Sequence, residues 1–146
     1  RLVYKMTQDE ISIQLLYKDV IDFHFELESS GTAMRKGVID EGRIEAAVSA
    51  PFTSFGGIYN YPTIFDRAAA LWHGIANNHG FNDGNKRTAT HSMLVYLGLN
   101  GIDLDYEQKE LSDMAVLIGS GSNKISREEI ANWIEDRAFY VDDEDE

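Results

Sequence analysis

The sequence predicts an all-α fold of about six helices in a single domain. Apolar residues recur at helical spacing in six segments, and two of these open with a Ser/Thr-x-x-Glu capping box, at Thr7–Glu10 and Ser126–Glu129. From Lys86 to Asn100 apolar side chains fall on almost every face, which is typical of a buried central helix. The chain has 146 residues, enough to enclose one hydrophobic core, and we assign the domain to residues 1–140.

The first three predicted helices are bounded by capping residues and helix breakers. The first runs from Thr7 to about Leu27 and has apolar residues along one face. The second starts at Asp40, a favourable N-cap, and ends before Pro51, which cannot continue a helix. The third extends over residues 63–77, because a threonine N-cap precedes apolar residues at helical spacing.

The last three predicted helices follow closely along the chain. The fourth covers Lys86 to Asn100 and closes at Gly101, a common C-cap residue. The fifth ends at Gly119, and the sixth opens at Ser126. Their inward-facing residues are Leu111, Met114, Ala115, Ile118, Ile130, Trp133 and Ile134.

Between the second and third helices, aromatic residues surround two adjacent glycines. This segment, which we call the flap (residues 52–61), contains Gly56-Gly57 at its centre. Paired glycines between short apolar runs favour a tight two-residue turn. The sequence therefore predicts a small β-hairpin here.

Composition excludes several classes of function. The absence of cysteine excludes disulfides, thiolate catalysis and cysteine-bound zinc. A net charge of −12 argues against direct nucleic-acid binding, which depends on Lys and Arg neutralising phosphates. No apolar run approaches the ~20 residues of a membrane span, and the N-terminus has no apolar signal-peptide core, so we expect a cytoplasmic protein without membrane contact. Residues 141–146 are predicted to be a disordered acidic tail.

The ten residues from His79 to Thr88 concentrate the reactive groups of the chain. They contain a potential base, a carboxylate, two glycines, two amides and two adjacent cations. A turn at Asn82-Asp83-Gly84 leads into the fourth helix, whose N-terminal N–H groups and dipole attract anions. A base beside an anion site is typical of phosphoryl or nucleotidyl transfer.

The residues of this segment have functional and structural interpretations. His79 can take a proton from an attacking hydroxyl, or it can be an ordinary packed histidine. Asp83 can bind Mg²⁺, or it can be a turn aspartate that bonds its own backbone. The other two histidines outside the fourth helix, His24 and His73, are expected to be structural.

The predicted anion site continues into the first turn of the fourth helix. Gly84 permits the backbone to turn its N–H groups toward phosphate oxygens, and Asn85 either contributes to this site or only caps the helix. Lys86 and Arg87 are unfavourable at the positive end of a helix dipole unless an anion joins them. His91 lies one turn beyond Arg87 and either lines the site or packs against the core.

The run His-x-Phe-x-Asp-x-Asn-Lys-Arg-Thr at residues 79–88 resembles the signature of the Doc branch of the Fic/Doc (Fido) family, the death-on-curing toxins of toxin–antitoxin systems. The segments before it also resemble the family over residues 40–47, 55–57, 61–65 and 68–71. The resemblance implies a single Fido-type helical domain with a central buried helix. Gly80 replaces the family's usual proline, which implies a looser loop.

The resemblance also implies an activity. AMP-transferring Fic proteins carry a second glycine and a further arginine where this chain has Lys86 and Thr90. Both differences favour the Doc type, whose members resemble protein kinases. The implied reaction is transfer of the γ-phosphoryl group of Mg-ATP to a Ser/Thr hydroxyl, with His79 as base and Asp83 as Mg²⁺ ligand. The phosphate-binding residues would be Gly84, Asn85, Lys86, Arg87 and His91.

The resemblance implies two protein partners. The family suggests translation elongation factor Tu as the target, with growth arrest as the result, and the target's backbone would dock on the flap by strand addition. The docking residues would be Phe55, Gly56, Gly57, Ile58 and Tyr59. A self-inhibiting Ser/Thr-x-x-x-Glu-Gly/Asn motif is missing, because the position four residues before Glu41 is Gly37. This favours inhibition in trans by a small antitoxin.

Two alternatives stay open. A Fic-type transfer of AMP or another nucleotidyl group would use the same His79 and the same anion site. A non-catalytic module that only binds a partner would use neither.

Overall fold

The computed structural model describes residues 12–30, 37–38 and 40–141. Within these ranges six α-helices, a short 3₁₀ helix (Ala50–Phe52) and two small antiparallel sheets confirm the predicted all-α class. The helices are α1 Tyr17–Ser29, α2 Glu41–Ser49, α3 Ile64–Asn77, α4 Asn85–Leu99, α5 Gln108–Gly119 and α6 Arg127–Arg137. The strands are β1 Ser54–Phe55, β2 Ile58–Tyr59, β3 Ile102–Leu104 and β4 Ala138–Tyr140. None of these helices has both the length and the apolar character that crossing a bilayer requires.

Side-chain caps set three of the predicted helix starts. Asp40 accepts a hydrogen bond from the Arg43 N–H at the start of α2. Thr63 and Ser126 form capping boxes at the starts of α3 and α6. These boundaries could be predicted because one local side chain satisfies an N–H group that the helix leaves unpaired.

The predicted start of the first helix is wrong. The Thr7–Glu10 box lies outside the described residues, and α1 begins at Tyr17, where the Asp19 carboxylate accepts the Leu16 N–H at 3.1 Å. Residues 12–16 are not helical, although they continue the apolar spacing. Instead, the backbone of Ile13 exchanges two hydrogen bonds with the Asn100 side chain at the end of α4 (2.6 and 3.0 Å).

The predicted central position of α4 is confirmed. It contacts α1, α3, α5 and β3, and its inward face buries Ala89, Met93, Tyr96 and Leu97. The opposite side is not buried, since Lys86, Arg87 and His91 are exposed there. The core therefore holds α4 in place while one side of its first two turns stays open to solvent.

The small sheet formed by β3 and β4 was not predicted. Strands of three residues carry too little alternation to be distinguished from loops. Gly101 adopts a positive φ of 76° after α4, and its carbonyl accepts the Val141 N–H at 2.8 Å. The predicted acidic tail thus begins with a residue that extends this sheet, and residues 142–146 lie outside the described part.

His73 on α3 is buried, in agreement with its expected structural role. Its Nε2 lies 3.2 Å from the Ser122 carbonyl. Burial lowers the pKa of His73; the bond to Ser122 opposes this effect, and the charge of Arg127 adds to it. His73 is therefore held in its neutral form, with Nε2 as donor.

This lowered pKa predicts a pH-dependent stability. As the pH falls below 6.5, the unfolded chain binds a proton that folded His73 does not, so the free energy of unfolding decreases. We expect His73→Gln, which keeps a donor for the Ser122 carbonyl but does not titrate, to lose part of this decrease. Urea midpoints of both proteins between about pH 7.5 and 5.5 measure the difference. Parallel curves would contradict this prediction.

Candidate active site

The loop that carries His79 is held by backbone pairing with the segment before α2. Val38 and Phe81 form an antiparallel bridge. Two backbone hydrogen bonds flank the bridge, from the Asn82 N–H to the Gly37 carbonyl (3.1 Å) and from the Asp40 N–H to the Gly80 carbonyl (3.2 Å). The loop is therefore anchored by the segment before α2 as well as by the two helices that it connects.

Gly80, which stands where the family's usual proline would be, is held in this loop by hydrogen bonds and close packing. Its N–H donates to the Asn78 side chain at 3.1 Å, and its carbonyl accepts the Asp40 N–H at 3.2 Å. Gly80 is buried, and a Cβ at this position would overlap the Ile44 side chain of α2. The glycine is required here because α2 packs directly against the loop backbone.

Gly80→Ala is expected to destabilise the protein by about 1–3 kcal/mol, because the new methyl group must displace Ile44 from the core. Gly98→Ala is a matched control, since a Cβ at Gly98 meets nothing within 4 Å and the change favours the α4 helix. Urea unfolding measures both variants. Ile44→Ala completes a double-mutant cycle, and additive effects would show that the two sites are not in contact as described.

His79 is exposed at the start of this loop, directly after Asn78, the C-cap of α3. Its φ is +57°, and it is the only non-glycine residue with a positive φ in the described ranges. No hydrogen bond or ion pair joins its imidazole to another described residue. Positive φ in a non-glycine residue is uncommon and often occurs at functional sites. The imidazole is thus available to accept a proton from a bound molecule.

Asp83 lies in the turn before α4. Its carboxylate accepts the Gly84 N–H at 2.9 Å, which matches the structural alternative for this residue. The described residues contain no cluster of three His, Cys, Asp or Glu side chains that could hold a metal. A Mg²⁺ ion that arrives with phosphates commonly takes one or two protein carboxylates, so Asp83 fits such an ion.

The start of α4 has a left-handed residue at its N-cap. Gly84 is this residue, with φ +77°, so the interpretation of Asn85 as the N-cap is wrong. Asn85 is the first helical residue, and its amide accepts from the Phe81 N–H (3.2 Å) and donates to the Phe81 carbonyl (3.0 Å). Its side chain therefore links the start of α4 to Phe81 within the same loop.

Three backbone N–H groups at this helix start have no acceptor among the described residues. They belong to Asn85, Lys86 and Arg87. We call these groups, with Gly84, the anion nest (residues 84–87). Unpaired N–H groups at a helix N-terminus carry partial positive charge and favour an anion.

The two cations of the nest are exposed, and within the described part of the chain neither forms a salt bridge. Lys86 lies with its aliphatic stem against Gly119 of α5, where a Cβ would come within 2.5 Å of Lys86 Cγ and Cδ. Thr90 accepts the Trp72 indole N–H (3.0 Å) and donates to the Lys86 carbonyl (2.8 Å). The hydroxyl at position 90 thus fastens α4 to α3.

A groove of about 510 Å³ opens beside the nest, between α4 and α5. Lys86 and Arg87 border it, and His91 lines it with its ring edge-on to Phe23 at 4.7 Å. Its volume lies within the range of small-molecule sites. Its other lining residues are Leu27, Thr90, Leu94, Tyr106, Gln108, Leu111, Ser112, Ala115 and Val116.

The predicted β-hairpin of the flap is confirmed. Strands β1 and β2 pair with Phe55 opposite Ile58. Gly56 and Gly57 have φ of +60° and +82°, as a type I′ turn requires. Phe55 is 86% exposed and Ile58 62% exposed. The tip of the flap therefore presents two unpartnered apolar side chains to solvent.

A buried arginine that the sequence analysis missed holds the base of the flap. Arg67 donates to the carbonyls of Tyr61 and Pro62, at 2.9 Å each, and to the Ser12 hydroxyl at 3.1 Å. Its guanidinium lies 4.0 Å from the centre of the Tyr59 ring. No carboxylate pairs with it in the described ranges. Its charge is therefore balanced by carbonyl dipoles and an aromatic face.

Comparison with known proteins identifies the family of this chain. The model of the Fic/DOC family matches residues 10–97, which include the flap, the His79 loop and the nest. Toxin Doc of Mycolicibacterium smegmatis is 39% identical over 79 residues, 53% of this chain and 61% of that protein. Protein kinase doc of Escherichia phage P1 is 34% identical over 99 residues, 67% of this chain and 75% of that protein. The chain thus belongs to the Fic/DOC family.

Proposed function

We propose that this protein is a Doc-type toxin that transfers the γ-phosphoryl group of Mg-ATP to a Ser/Thr hydroxyl of a target protein. The observation that carries the proposal is the pairing of an exposed imidazole with an anion nest. His79 stands at one end of a six-residue loop (residues 79–84), and the unpaired N–H groups and cations of residues 85–87 stand at the other.

The proposed reaction begins with the target hydroxyl next to His79. The imidazole accepts the hydroxyl proton as the oxygen attacks the γ-phosphorus. The bond between the γ-phosphorus and the β–γ bridging oxygen breaks, and ADP leaves with that oxygen. General-base assistance of this kind contributes about 10²–10⁴-fold to a rate.

The nest would bind the phosphates during this transfer. Backbone N–H groups and the Arg87 guanidinium donate hydrogen bonds to phosphate oxygens, and Lys86 adds a point charge. Because these donors are fixed before the reaction, they stabilise the transition state without reorganisation. Bound through Asp83, Mg²⁺ would neutralise charge on the phosphates.

The groove beside the nest favours a nucleotide, rather than an isolated phosphate, as the bound ligand. It continues from the cations along α4 toward mixed polar and apolar residues of α5. His91 would lie beside the bound nucleotide. Lys86 and Thr90 favour γ-phosphoryl over AMP transfer, because the Lys86 stem lies beside the nest and the Thr90 hydroxyl is engaged with Trp72.

The names of the two relatives support the remaining parts of the proposal. One is called a toxin and the other a protein kinase. We propose that the target docks along the flap, that a small antitoxin blocks the site in trans, and that the protein acts in the cytoplasm without binding nucleic acid itself. Translation elongation factor Tu is the first target to test.

Labelled ATP tests the reaction class directly. The purified protein is incubated with bacterial lysate, or with purified elongation factor Tu, and with ATP labelled at either the γ- or the α-phosphate. We expect protein labelling from the γ position only, abolished by EDTA. Labelling from the α position only would overturn the kinase proposal and establish nucleotidyl transfer instead. No labelling from either position, in a protein that still arrests growth, would favour a non-catalytic binding module.

A further inference from the structure

A buried histidine on α1 contacts the backbone of the turn that precedes the anion nest. His24 is 1% exposed, and its Nε2 lies 2.8 Å from the Asp83 carbonyl oxygen. A carbonyl can only accept a hydrogen bond, so Nε2 carries the proton. The bond joins residues that lie 59 positions apart in the sequence.

This bond engages the carbonyl of the residue before Gly84, the N-cap of α4. In a continuing helix the Asp83 carbonyl would accept the Arg87 N–H, four residues later. No such bond is present, and the Arg87 N–H has no acceptor among the described residues. The Asp83 carbonyl is a possible acceptor for the Arg87 N–H and could compete with an anion for it. Its hydrogen bond to His24 holds this carbonyl elsewhere.

The same bond orients the Asp83–Gly84 peptide. In a trans peptide the carbonyl and the N–H point in opposite directions. Because the carbonyl faces His24, the Gly84 N–H faces away from the core, where it binds the Asp83 carboxylate at 2.9 Å. The position of the His24 ring thus determines the side of the turn on which the carboxylate lies.

Two further contacts hold the His24 ring in place. It stacks on Phe81, with ring centres 3.8 Å apart and planes 7° from parallel. Its Nδ1 lies 3.7 Å from the Glu28 carboxylate, which also accepts the Gly37 N–H at 2.6 Å. Residue 37 belongs to the segment that pairs with the His79 loop, so α1 supports both sides of that loop.

We infer that His24 is a positioning residue that keeps the anion nest open, by holding the Asp83 carbonyl away from α4. This inference rests on the proposed function, because the nest is the proposed phosphate site. His24 touches neither phosphate nor target in this scheme. It acts only through the backbone of the turn.

Three variants separate positioning from general stability. His24→Met removes the donor and keeps a similar volume, whereas His24→Gln keeps an amide donor at similar reach. His73→Met is the matched control, because His73 is also buried and its Nε2 also bonds a backbone carbonyl, that of Ser122. The readout is the dissociation constant for Mg-ATP and for inorganic tripolyphosphate, measured by calorimetry well below each melting temperature.

We expect His24→Met to weaken tripolyphosphate binding about tenfold, His24→Gln to restore most of it, and His73→Met to leave it unchanged. Unaltered binding in a folded His24→Met protein, while the wild type binds, would overturn the inference and leave the proposed function standing. A wild type that binds neither ligand would overturn both. If His24→Met does not fold, His24→Gln and the shorter His24→Asn decide the matter. Equal affinities of these two would overturn the inference.

Discussion

The His79→Ala variant is expected to lose about 10²–10⁴-fold of its phosphoryl-transfer rate and to bind Mg-ATP as tightly as the wild type. The imidazole is exposed and makes no hydrogen bond with another described residue, so its removal leaves the fold and the nest intact. Initial rates with γ-labelled ATP measure the first effect. Calorimetry and thermal unfolding check the second.

His91→Ala is the matched control for this prediction. His91 is also an exposed histidine, but it lines the groove beside the nest and does not lie on the loop. We expect it to raise KM for ATP more than it lowers kcat, because a groove contact acts on binding. If His79→Ala instead retained full growth arrest in cells, the protein would act by binding alone.

The Arg67→Met variant is expected to lower the free energy of unfolding by about 2 kcal/mol or more. Removing the guanidinium leaves the half-buried carbonyls of Tyr61 and Pro62 without this donor, and each such loss costs about 1–3 kcal/mol. The Ser12 hydroxyl still accepts the Tyr96 O–H at 2.7 Å. Urea unfolding measures the change. The flap should also become more sensitive to limited proteolysis, since Arg67 holds its base.

Arg43→Met is the control for this change. Arg43 is exposed, and its ion pair with Asp40 spans 3.5 Å at the surface, where such pairs contribute little. Arg67→Lys should fall between the wild type and Arg67→Met, because lysine keeps the charge but not the planar set of donors. Equal stability of Arg67→Met and the wild type would mean that solvent or a rearranged backbone satisfies the carbonyls.

Local sequence patterns predicted those parts of the fold that depend on neighbouring residues. A side-chain cap needs only three or four residues, and this is why the starts of α2, α3 and α6 were correct. The flap turn could be predicted from its two adjacent glycines alone. The predicted start of α1 was wrong because the apolar spacing continues through residues 12–16, which are not helical. The Ile13 backbone instead bonds to the Asn100 side chain at the far end of α4.

The supports of the candidate site depend on distant contacts, which is why they were missed. His24 reaches Asp83 across 59 positions, and Arg67 reaches Ser12 across 55. In the sequence, both residues resemble ordinary members of amphipathic helices. The tight packing of Gly80 was also missed, since it requires knowing that Ile44 lies against it. The residues of the His79–Thr88 segment itself were identified because they are contiguous.

The contact between Lys86 and Gly119 has a consequence for how this protein can diverge. A side chain at position 119 would occupy the volume through which the Lys86 stem passes. A substitution at position 119 therefore requires the Lys86 stem to move aside or to be shortened. Among homologous sequences, a lysine at position 86 should occur together with a glycine at position 119. Lineages that acquire a bulkier residue at 119 should show a shortened side chain at 86, so the pair should appear as correlated substitutions across two different helices.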